Sequence, residues 1–319
     1  MTEPAATNRP VVVVGTANVD TFLFVDHLPV SGETVMGDSG TACGGKAANQ
    51  AVAAARLGAD VSMITRVGDD DNGRLLLQEM RKEGVDTSGV PVITGGASGL
   101  ALIFVDKNGH TMIGVAEGVN RFMQTDDLDA APGLHDPQAI VVAELGVPLE
   151  IINRLCQLSS EVGFTFVLNP APAVAPLAAE LWQGIDVVTP NETEASVLTG
   201  IKVTDDETAL QAATRLHELG AGLGIVTIGE HGVAWCSDQG SGVLPAFKVD
   251  AVDTTAASDS FNAGLVVAMR SESDHAEAIR YGQAVGALCV TKAGAQTSLP
   301  TKDEVDQFLA GQPALREKP

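Results

Sequence analysis

The feature that most limits how this chain can fold is an alternation of short apolar runs with helical patterns along most of its length. Val11 to Val14 is a run of β-branched residues that ends at Gly15, and Ile140 to Ala143 and Thr165 to Leu168 are similar runs. Such runs are typical of strands that are buried on both faces of a parallel sheet. Because helical patterns separate them, the sequence predicts an α/β fold with a doubly wound, mostly parallel sheet flanked by helices.

The remaining elements are expected from the same patterns. Further strands are predicted at 60–66, 186–189 and 223–228, with a hairpin at 232–236 and 242–247. Helices are predicted at 46–57, 73–83, 148–158, 192–198, 205–219, 258–270, 275–291 and 302–309.

Two stretches interrupt the alternation. Residues 21–36 carry few helix signals, and 98–106 and 110–115 alternate in polarity around the turn sequence 107–109. We expect antiparallel lid strands from about 20–43 and 98–116, inserted in a single domain that spans 1–319. With 45% hydrophobic residues in 319, the chain can bury a large core.

Charge and composition exclude several classes of function. A net charge of −22 disfavours binding to nucleic acid. No apolar run reaches the roughly 18 to 20 residues of a membrane span, so no membrane partner is expected. The cysteines show no C-x-x-C spacing, which argues against a zinc site or a disulfide framework and fits a cytoplasmic protein.

The segment 253–264 carries the strongest indication of chemistry. Small residues open a helix there, and the N–H groups of a first helical turn form a site for an anion. Asp259 would stand beside a bound phosphate, where it could accept a proton from a hydroxyl group. The alternative is that Asp253 caps the helix and Asp259 is an ordinary residue of its first turn.

Two further segments offer groups that could bind hydroxyls. In 44–50 two glycines permit close approach of the backbone, and Lys46 and Asn49 can donate hydrogen bonds, although the spacing is not that of a Walker A loop. Asn18 and Asp20 follow the first strand and lie on one face. The alternatives are a glycine-rich helix start and a simple turn.

The segments at two other strand ends have both structural and functional interpretations. Asn191 and Glu194 have the spacing of a capping box, but they could instead orient water on magnesium. Residues 227–232 form either a nucleotide-facing loop or a hairpin turn. The first strand is not followed by the G-x-G-x-x-G pattern of dinucleotide-binding dehydrogenases, which disfavours that class.

Together these segments resemble the ribokinase-like (PfkB-type) carbohydrate kinase family. The resemblance covers about residues 10 to 310, and the matching motifs follow the family's order. They lie at 18–20, 31–34, 44–51, 67–69, 168–172, 189–194, 253–264 and 294–298.

The resemblance implies that the chain uses ATP to phosphorylate the terminal hydroxyl of a sugar, with ribose as the leading candidate. Deoxyribose, a ketohexose and adenosine are the alternatives. Asp259 resembles the catalytic base, and the amides of Ala256, Ala257 and Ser258 resemble the anion hole for the γ-phosphoryl group. The implied cofactors are ATP, Mg²⁺ and K⁺, and the implied assembly is a homodimer formed through the lid.

The resemblance also implies three sets of binding residues. The sugar contacts are Asn18, Asp20, Gly45, Lys46, Asn49 and Asp259. The ATP contacts are Asn191, Glu194, Thr227, Gly229 and Gly232, with Glu194 linked to magnesium. The loop for a monovalent cation, which uses carbonyls at several positions, contains Asp253, Thr255, Cys289, Lys292, Gly294 and Ser298.

Three positions depart from the family pattern. Ser258 replaces a glycine before the base, and a positive φ there would cost roughly 1–2 kcal/mol. In that case Ser258→Gly should raise the turnover number, or the chain could be a weakly active sugar-binding protein. Ala47 replaces a glycine of the sugar loop. Gly146 stands near the position of a sugar-contacting glutamate, which Glu144, two residues earlier, could replace.

Overall fold

The computed structural model describes residues 9–129, 131, 133–271 and 274–313, so both ends of the predicted domain 1–319 lie outside it. The strands are β1 (Val11–Val14), β2 (Asn18–Val25), β3 (Gly37–Gly44), β4 (Val61–Ile64), β5 (Val67–Gly68), β6 (Val92–Ile93), β7 (Gly99–Asp106), β8 (Thr111–Ala116), β9 (Ile140–Glu144), β10 (Thr165–Asn169), β11 (Val187–Val188), β12 (Leu223–Thr227), β13 (Val233–Ser237) and β14 (Gly240–Leu244). The α-helices are α1 (Lys46–Arg56), α2 (Asp71–Lys82), α3 (Thr125–Asp129), α4 (Leu149–Val162), α5 (Glu192–Thr199), α6 (Asp206–Leu219), α7 (Ala257–Met269), α8 (His275–Cys289) and α9 (Lys302–Ala310).

The main sheet confirms the predicted fold class. Its strands run in the order β14-β13-β12-β11-β10-β9-β1-β4, and all are parallel except for the antiparallel pairings of β13 and β14 at one edge. Val14, the last residue of β1, pairs with Ile64 of β4 and Ala143 of β9. The carboxyl ends of the parallel strands therefore meet at one edge, which is where ligands bind in sheets of this kind.

Alternate side chains of each central strand enter two separate cores. Val11 and Val13 pack with α1, α2, α7 and α8, whereas Val12 and Val14 pack with α4, α5 and α6. Each fully buried valine contributes about 1.5–3 kcal/mol through removal of apolar surface from water. This two-sided burial explains why β1 consists of valine alone.

A second sheet in the order β3-β2-β7-β8 contains the strands expected at the lid. Its outer pairs, β2 with β3 and β7 with β8, are antiparallel. The central pair, β2 with β7, is parallel, which the sequence patterns do not distinguish. Both faces leave apolar side chains open to solvent, with Leu102 and Met112 on one face and Ile113 and Val115 on the other.

Local capping residues set several helix ends. α4 continues past the predicted end at 158 and stops at Val162, because Gly163 adopts the left-handed conformation with φ 93°. Asp70 accepts a hydrogen bond from the Gly73 N–H and begins α2. In the part of the chain that the structure describes, none of the helices is long and apolar enough to cross a bilayer.

Candidate active site

Asp259 lies in the first turn of α7, beside the carboxyl ends of the central strands. Its carboxylate is only 4% exposed, and it accepts hydrogen bonds from Asn49 Nδ2 at 3.0 Å and Gln50 Nε2 at 3.1 Å. Both donors belong to α1, which follows the glycine pair. The carboxylate is thus buried against polar side chains of a second helix and not within either apolar core.

A chain of buried polar groups connects α1 and α7 to the sheet. Gln50 Nε2 also donates to Asn169 Oδ1, at the end of β10, at 3.2 Å. Thr189, just after β11, donates to Asn262 Oδ1 of α7 at 2.7 Å. Gln50 and Asn169 are not among the predicted site residues. Their positions within the matching motifs 44–51 and 168–172 are the only signal that could have indicated them.

Asp259 is shielded from water but faces a positive charge. Burial raises its pKa, whereas the charge of Lys46 and the hydrogen bonds from Asn49 and Gln50 lower it. The carboxylate is therefore held as a stronger base than an exposed aspartate, while its ionised form remains supported by donors. This combination suits a group that must accept a proton.

Gln50→Leu should raise the pKa of Asp259, because it removes a hydrogen bond that favours the ionised carboxylate. A base is inactive when it is protonated. As the pH is lowered, the variant should therefore lose activity at a higher pH than the wild type does. The pH profile of kcat/KM for the sugar measures this shift. An acid limb that stays in place, or moves to lower pH, would contradict the assigned effect of Gln50.

The start of α7 presents main-chain N–H groups that lack acceptors. Among the described residues, the N–H groups of Ala256 and Ser258 have no hydrogen-bond acceptor, and that of Ala257 donates to Thr254 O at 3.2 Å. Ala256 adopts the left-handed conformation, with φ 59° and ψ 13°, as the residue before the helix. The helix dipole and these open donors make a site for an anion.

The structure corrects the expectation of strain at Ser258. This residue lies inside α7, and among the described non-glycine residues the positive φ belongs to Ala256 instead. The Ser258 side chain is exposed and costs little at a helical φ. The prediction that backbone strain at Ser258 lowers the turnover number is therefore wrong. Such strain also gives no reason to regard the chain as a weakly active sugar-binding protein.

The predicted sugar residues lie together around the turn between β1 and β2 and the start of α1. Asn18 pairs with Gly44 across β2 and β3, and Gly45 precedes α1 with φ 94°. Asn120, which the sequence analysis does not identify, is fully buried and donates to Asn18 Oδ1 at 2.9 Å. Burial raises the pKa of Asp20 to about 6.

An unpaired acceptor indicates where a ligand is needed. Asn49 is buried, and its Oδ1 has no hydrogen-bond partner among the described residues. Leaving such an atom unpaired costs about 1–3 kcal/mol, so buried acceptors usually have a donor. Asn49 Nδ2 is already bound to Asp259. The remaining oxygen can therefore accept a hydrogen bond from a hydroxyl group close to the proposed base.

The five predicted nucleotide residues also lie close together. Asn191 and Glu194 form the capping box of α5, with each side chain accepting from the other residue's N–H. Thr227 bridges to Asn191 at the end of β12, and the N–H of Gly232 donates to Gly229 O in the next turn. Glu194 is half-buried, and burial raises its pKa while the charge of Lys46 lowers it. The charge of Asp259 also raises the pKa of Glu194.

The predicted cation loop is linked through Asp253. One carboxylate oxygen accepts from Thr255 and the other from the Gly294 N–H at 2.8 Å. Although burial opposes it, these hydrogen bonds lower the pKa of Asp253. Cys289 Sγ lies 3.1 Å from Ser298 Oγ. The Lys292 ammonium turns away to Glu304, so this side chain does not enter the loop.

Comparison with known proteins decides the family. The pfkB family of carbohydrate kinases matches residues 8–302. The chain belongs to this family. It is 39% identical to the ribokinase of Haemophilus influenzae over 302 residues, covering 94% of this chain and 98% of that protein.

The chain is similar to two further proteins over nearly its whole length. It is 33% identical to the deoxyribokinase of Salmonella typhimurium, covering 94% and 98% of the two chains. The structure of Arabidopsis thaliana ribokinase complexed with ribose and ATP superimposes with a TM-score of 0.88 at 30% identity, covering 95% and 99%. As a pfkB kinase the chain is a phosphotransferase that acts on a sugar hydroxyl.

Proposed function

We propose that the protein transfers the γ-phosphoryl group of ATP to the terminal hydroxyl of ribose and produces ribose 5-phosphate. The observation that carries the proposal is the juxtaposition of the buried Asp259 carboxylate, the unpaired Asn49 Oδ1 and the open N–H groups at the start of α7. Ribose is favoured because relatives that match nearly the whole chain are ribokinases.

Asp259 acts as the base in this reaction. It takes the proton of the sugar hydroxyl as the oxygen attacks the γ-phosphorus and the bond to the ADP oxygen breaks. The open N–H groups of Ala256 and Ser258, together with the α7 dipole, stabilise the charge on the transferring group. The N–H of Ala257 can join them if it shares its hydrogen bond with Thr254 O. These donors are already oriented, so little reorganisation is required at the moment of transfer.

The sugar is held at the other side of Asp259. Asn49 Oδ1 accepts from a sugar hydroxyl, and Asn18, Asp20 and Lys46 supply further polar groups around the Gly45 turn. A site that hydrogen-bonds hydroxyls discriminates strongly against analogues that lack them, because its buried groups are then left unpaired. Asn49 is the clearest instance in this site.

ATP binds along the loops that follow β11 and β12, through Asn191, Thr227, Gly229 and Gly232. Magnesium is usually held by phosphates, waters and one or two carboxylates, and the half-buried carboxylate of Glu194 fits that role. When bound, the ion neutralises charge on the phosphates. Because Glu194 also accepts from the Asn191 N–H, it holds the loop in place with or without the metal.

Potassium is proposed for the loop that joins Asp253, Thr255, Gly294 and Ser298 to the start of α7. The loop carries carboxylate, hydroxyl and carbonyl oxygens, which are ligands that suit this ion. Cys289 braces the loop through Ser298, and Lys292 contributes only its main chain. A bound cation would stabilise the turn that precedes Ala256.

We also propose a cytoplasmic homodimer that forms through the lid face bearing Ile113 and Val115. Ile113 and Val115 are more than half exposed on β8. Ile113→Asp should convert a dimer to a monomer in sedimentation experiments, whereas Val174→Asp, at an exposed apolar position outside the lid, should not. A wild-type monomer at micromolar concentration would contradict the dimer.

Deoxyribose is the second candidate substrate, because a deoxyribokinase is among the relatives and Gly146 lacks a side chain beside the sugar site. ADP release should be measured with ribose, deoxyribose, fructose and adenosine, each in K⁺ and in Li⁺. The proposal expects the highest kcat/KM with ribose in K⁺. A higher value with deoxyribose would favour the second candidate, and no sugar-dependent ADP release would refute both.

A further inference from the structure

A buried carboxylate beside the sugar residues has no part in the chemistry described above. Glu144 is the last residue of β9 and is fully buried, with 0% exposure. One of its oxygens accepts from the Thr16 N–H and the other from the Gly146 N–H, both at 2.5 Å. Because this side chain is fully buried and both of its oxygens accept main-chain N–H groups, we expect that Glu144 does not replace the sugar-contacting glutamate of the family.

The two N–H groups belong to two different loops at the sugar site. Thr16 lies in the turn between β1 and β2, two residues before Asn18 and four before Asp20. Gly146 lies in the loop between β9 and α4. Burial raises the pKa of Glu144, whereas these two N–H donors lower it. Because one buried side chain accepts from both N–H groups, it fixes the two loops against each other.

The carboxylate also determines which side chains its surroundings can accept. A Cβ placed on Gly146 would lie 2.6 Å from Glu144 Oε2 and 2.8 Å from the Thr16 methyl group. A Cβ on Gly15 would collide with Glu144 Oε1 and approach Ala47 Cβ to 2.7 Å. Glu144 thus fills the space that a side chain at position 146 would enter, and Ala47 packs against the same turn.

We propose that Glu144 is a positioning residue of the sugar site, which holds the turn bearing Asn18 and Asp20 and excludes any side chain from position 146. This proposal rests on the proposed function, because the turn matters for catalysis only if the site binds sugar. It bears on one departure from the family pattern, the glycine at position 146. The glycine at 146 and the acid at 144 are one coupled arrangement.

The kinetic test uses Glu144→Gln, which keeps the shape but presents an NH₂ group to one of the two N–H donors. We expect the KM for ribose to rise by about tenfold or more, with the KM for ATP changed by less than about twofold. Asp186→Asn is the matched control, because Asp186 also accepts a hydrogen bond from a main-chain N–H group, that of Phe166. Asp186 precedes β11 and therefore lies at the amino ends of the parallel strands, away from the sugar site. Both of its KM values should stay within about twofold of the wild type.

A second measurement tests the excluded side chain without any substrate. Gly146→Ala should lower the Tm in the wild-type background. The same substitution should lower the Tm much less in a Glu144→Ala background, because the Glu144 Oε2 atom that the new methyl group would meet is then absent. Equal Tm shifts in both backgrounds would overturn the coupling. Unchanged ribose KM in Glu144→Gln, or equal increases in both KM values, would overturn the positioning role. A wild type that phosphorylates no sugar would refute the proposed function and the positioning role, while the Tm comparison would still report on the coupling.

Discussion

Asp259→Asn should lower kcat for ribose by about 10²- to 10⁴-fold, which is the usual contribution of a positioned general base. The change removes the proton acceptor and keeps the size of the side chain, but its NH₂ group then faces one of the two amide donors of α1. Affinity for ribose should change by less than about tenfold, because Asn49 and the β1–β2 turn remain in place. Single-turnover kinetics and calorimetric titration with ribose measure the two quantities separately.

The stability of the same variant distinguishes lost chemistry from lost folding. Because burial raises the pKa of Asp259, its ionised form is less favourable in the folded than in the unfolded chain. This cost is absent below the unfolded pKa, grows between the unfolded and the folded pKa, and is complete above the folded pKa. Asparagine removes the cost but loses one hydrogen bond with α1, so at neutral pH the Tm should change little. A kcat within tenfold of the wild type would contradict the role of Asp259 as the base.

Gly45→Ala should reduce kcat/KM for ribose by at least about 100-fold, because small displacements of catalytic groups have effects of that size. Gly45 has φ 94°, and a Cβ there would lie 2.6 Å from Thr16 O, 2.7 Å from Ala17 Cα and 2.8 Å from Asn18 N. These are main-chain atoms of the turn that carries the sugar residues. The turn must move to accept the methyl group, and α1 with Asn49 and Gln50 must move with it.

Gly84→Ala separates backbone strain from this collision. Gly84 has a similar φ of 86°, but a Cβ there would meet nothing within 4 Å. Gly84→Ala should lose about 1–2 kcal/mol of stability because of its positive φ, and Gly45→Ala should lose at least as much. Only Gly45→Ala should lose sugar phosphorylation as well. Equal activity of the two variants would show that the close approach of Gly45 to the main chain of the β1–β2 turn does not affect sugar phosphorylation.

The sequence patterns predict the main sheet well because its central strands are buried on both faces. Val11 to Val14 and Ile140 to Ala143 are predicted at or within one residue of their observed ends. The lid strands are also visible in the sequence, as alternation around a turn. The parallel pairing of β2 with β7 could not be predicted, because the pattern of polar and apolar residues in a strand does not determine its neighbour or the direction of pairing.

The parts of the site that sequence patterns could not predict depend on contacts between distant segments. Gln50 reaches Asp259 across 209 positions, and Glu144 reaches Thr16 across 128. The effect of Ser258 depended on a single φ angle, and the positive φ falls two residues earlier, at Ala256. Local patterns identify which residue types are present, but the packing of α1 on α7 decides which of them meet.

The most direct test of the account is the position of the phosphate in the product. Ribose, ATP, Mg²⁺ and K⁺ should be incubated with the protein and the product examined by ¹³C and ³¹P nuclear magnetic resonance. The account predicts stoichiometric ADP and a phosphorus nucleus coupled to C5 of ribose, with product formation slowed by at least about 100-fold in Asp259→Asn. Phosphate attached to another carbon, or ADP accompanied only by inorganic phosphate, would contradict it.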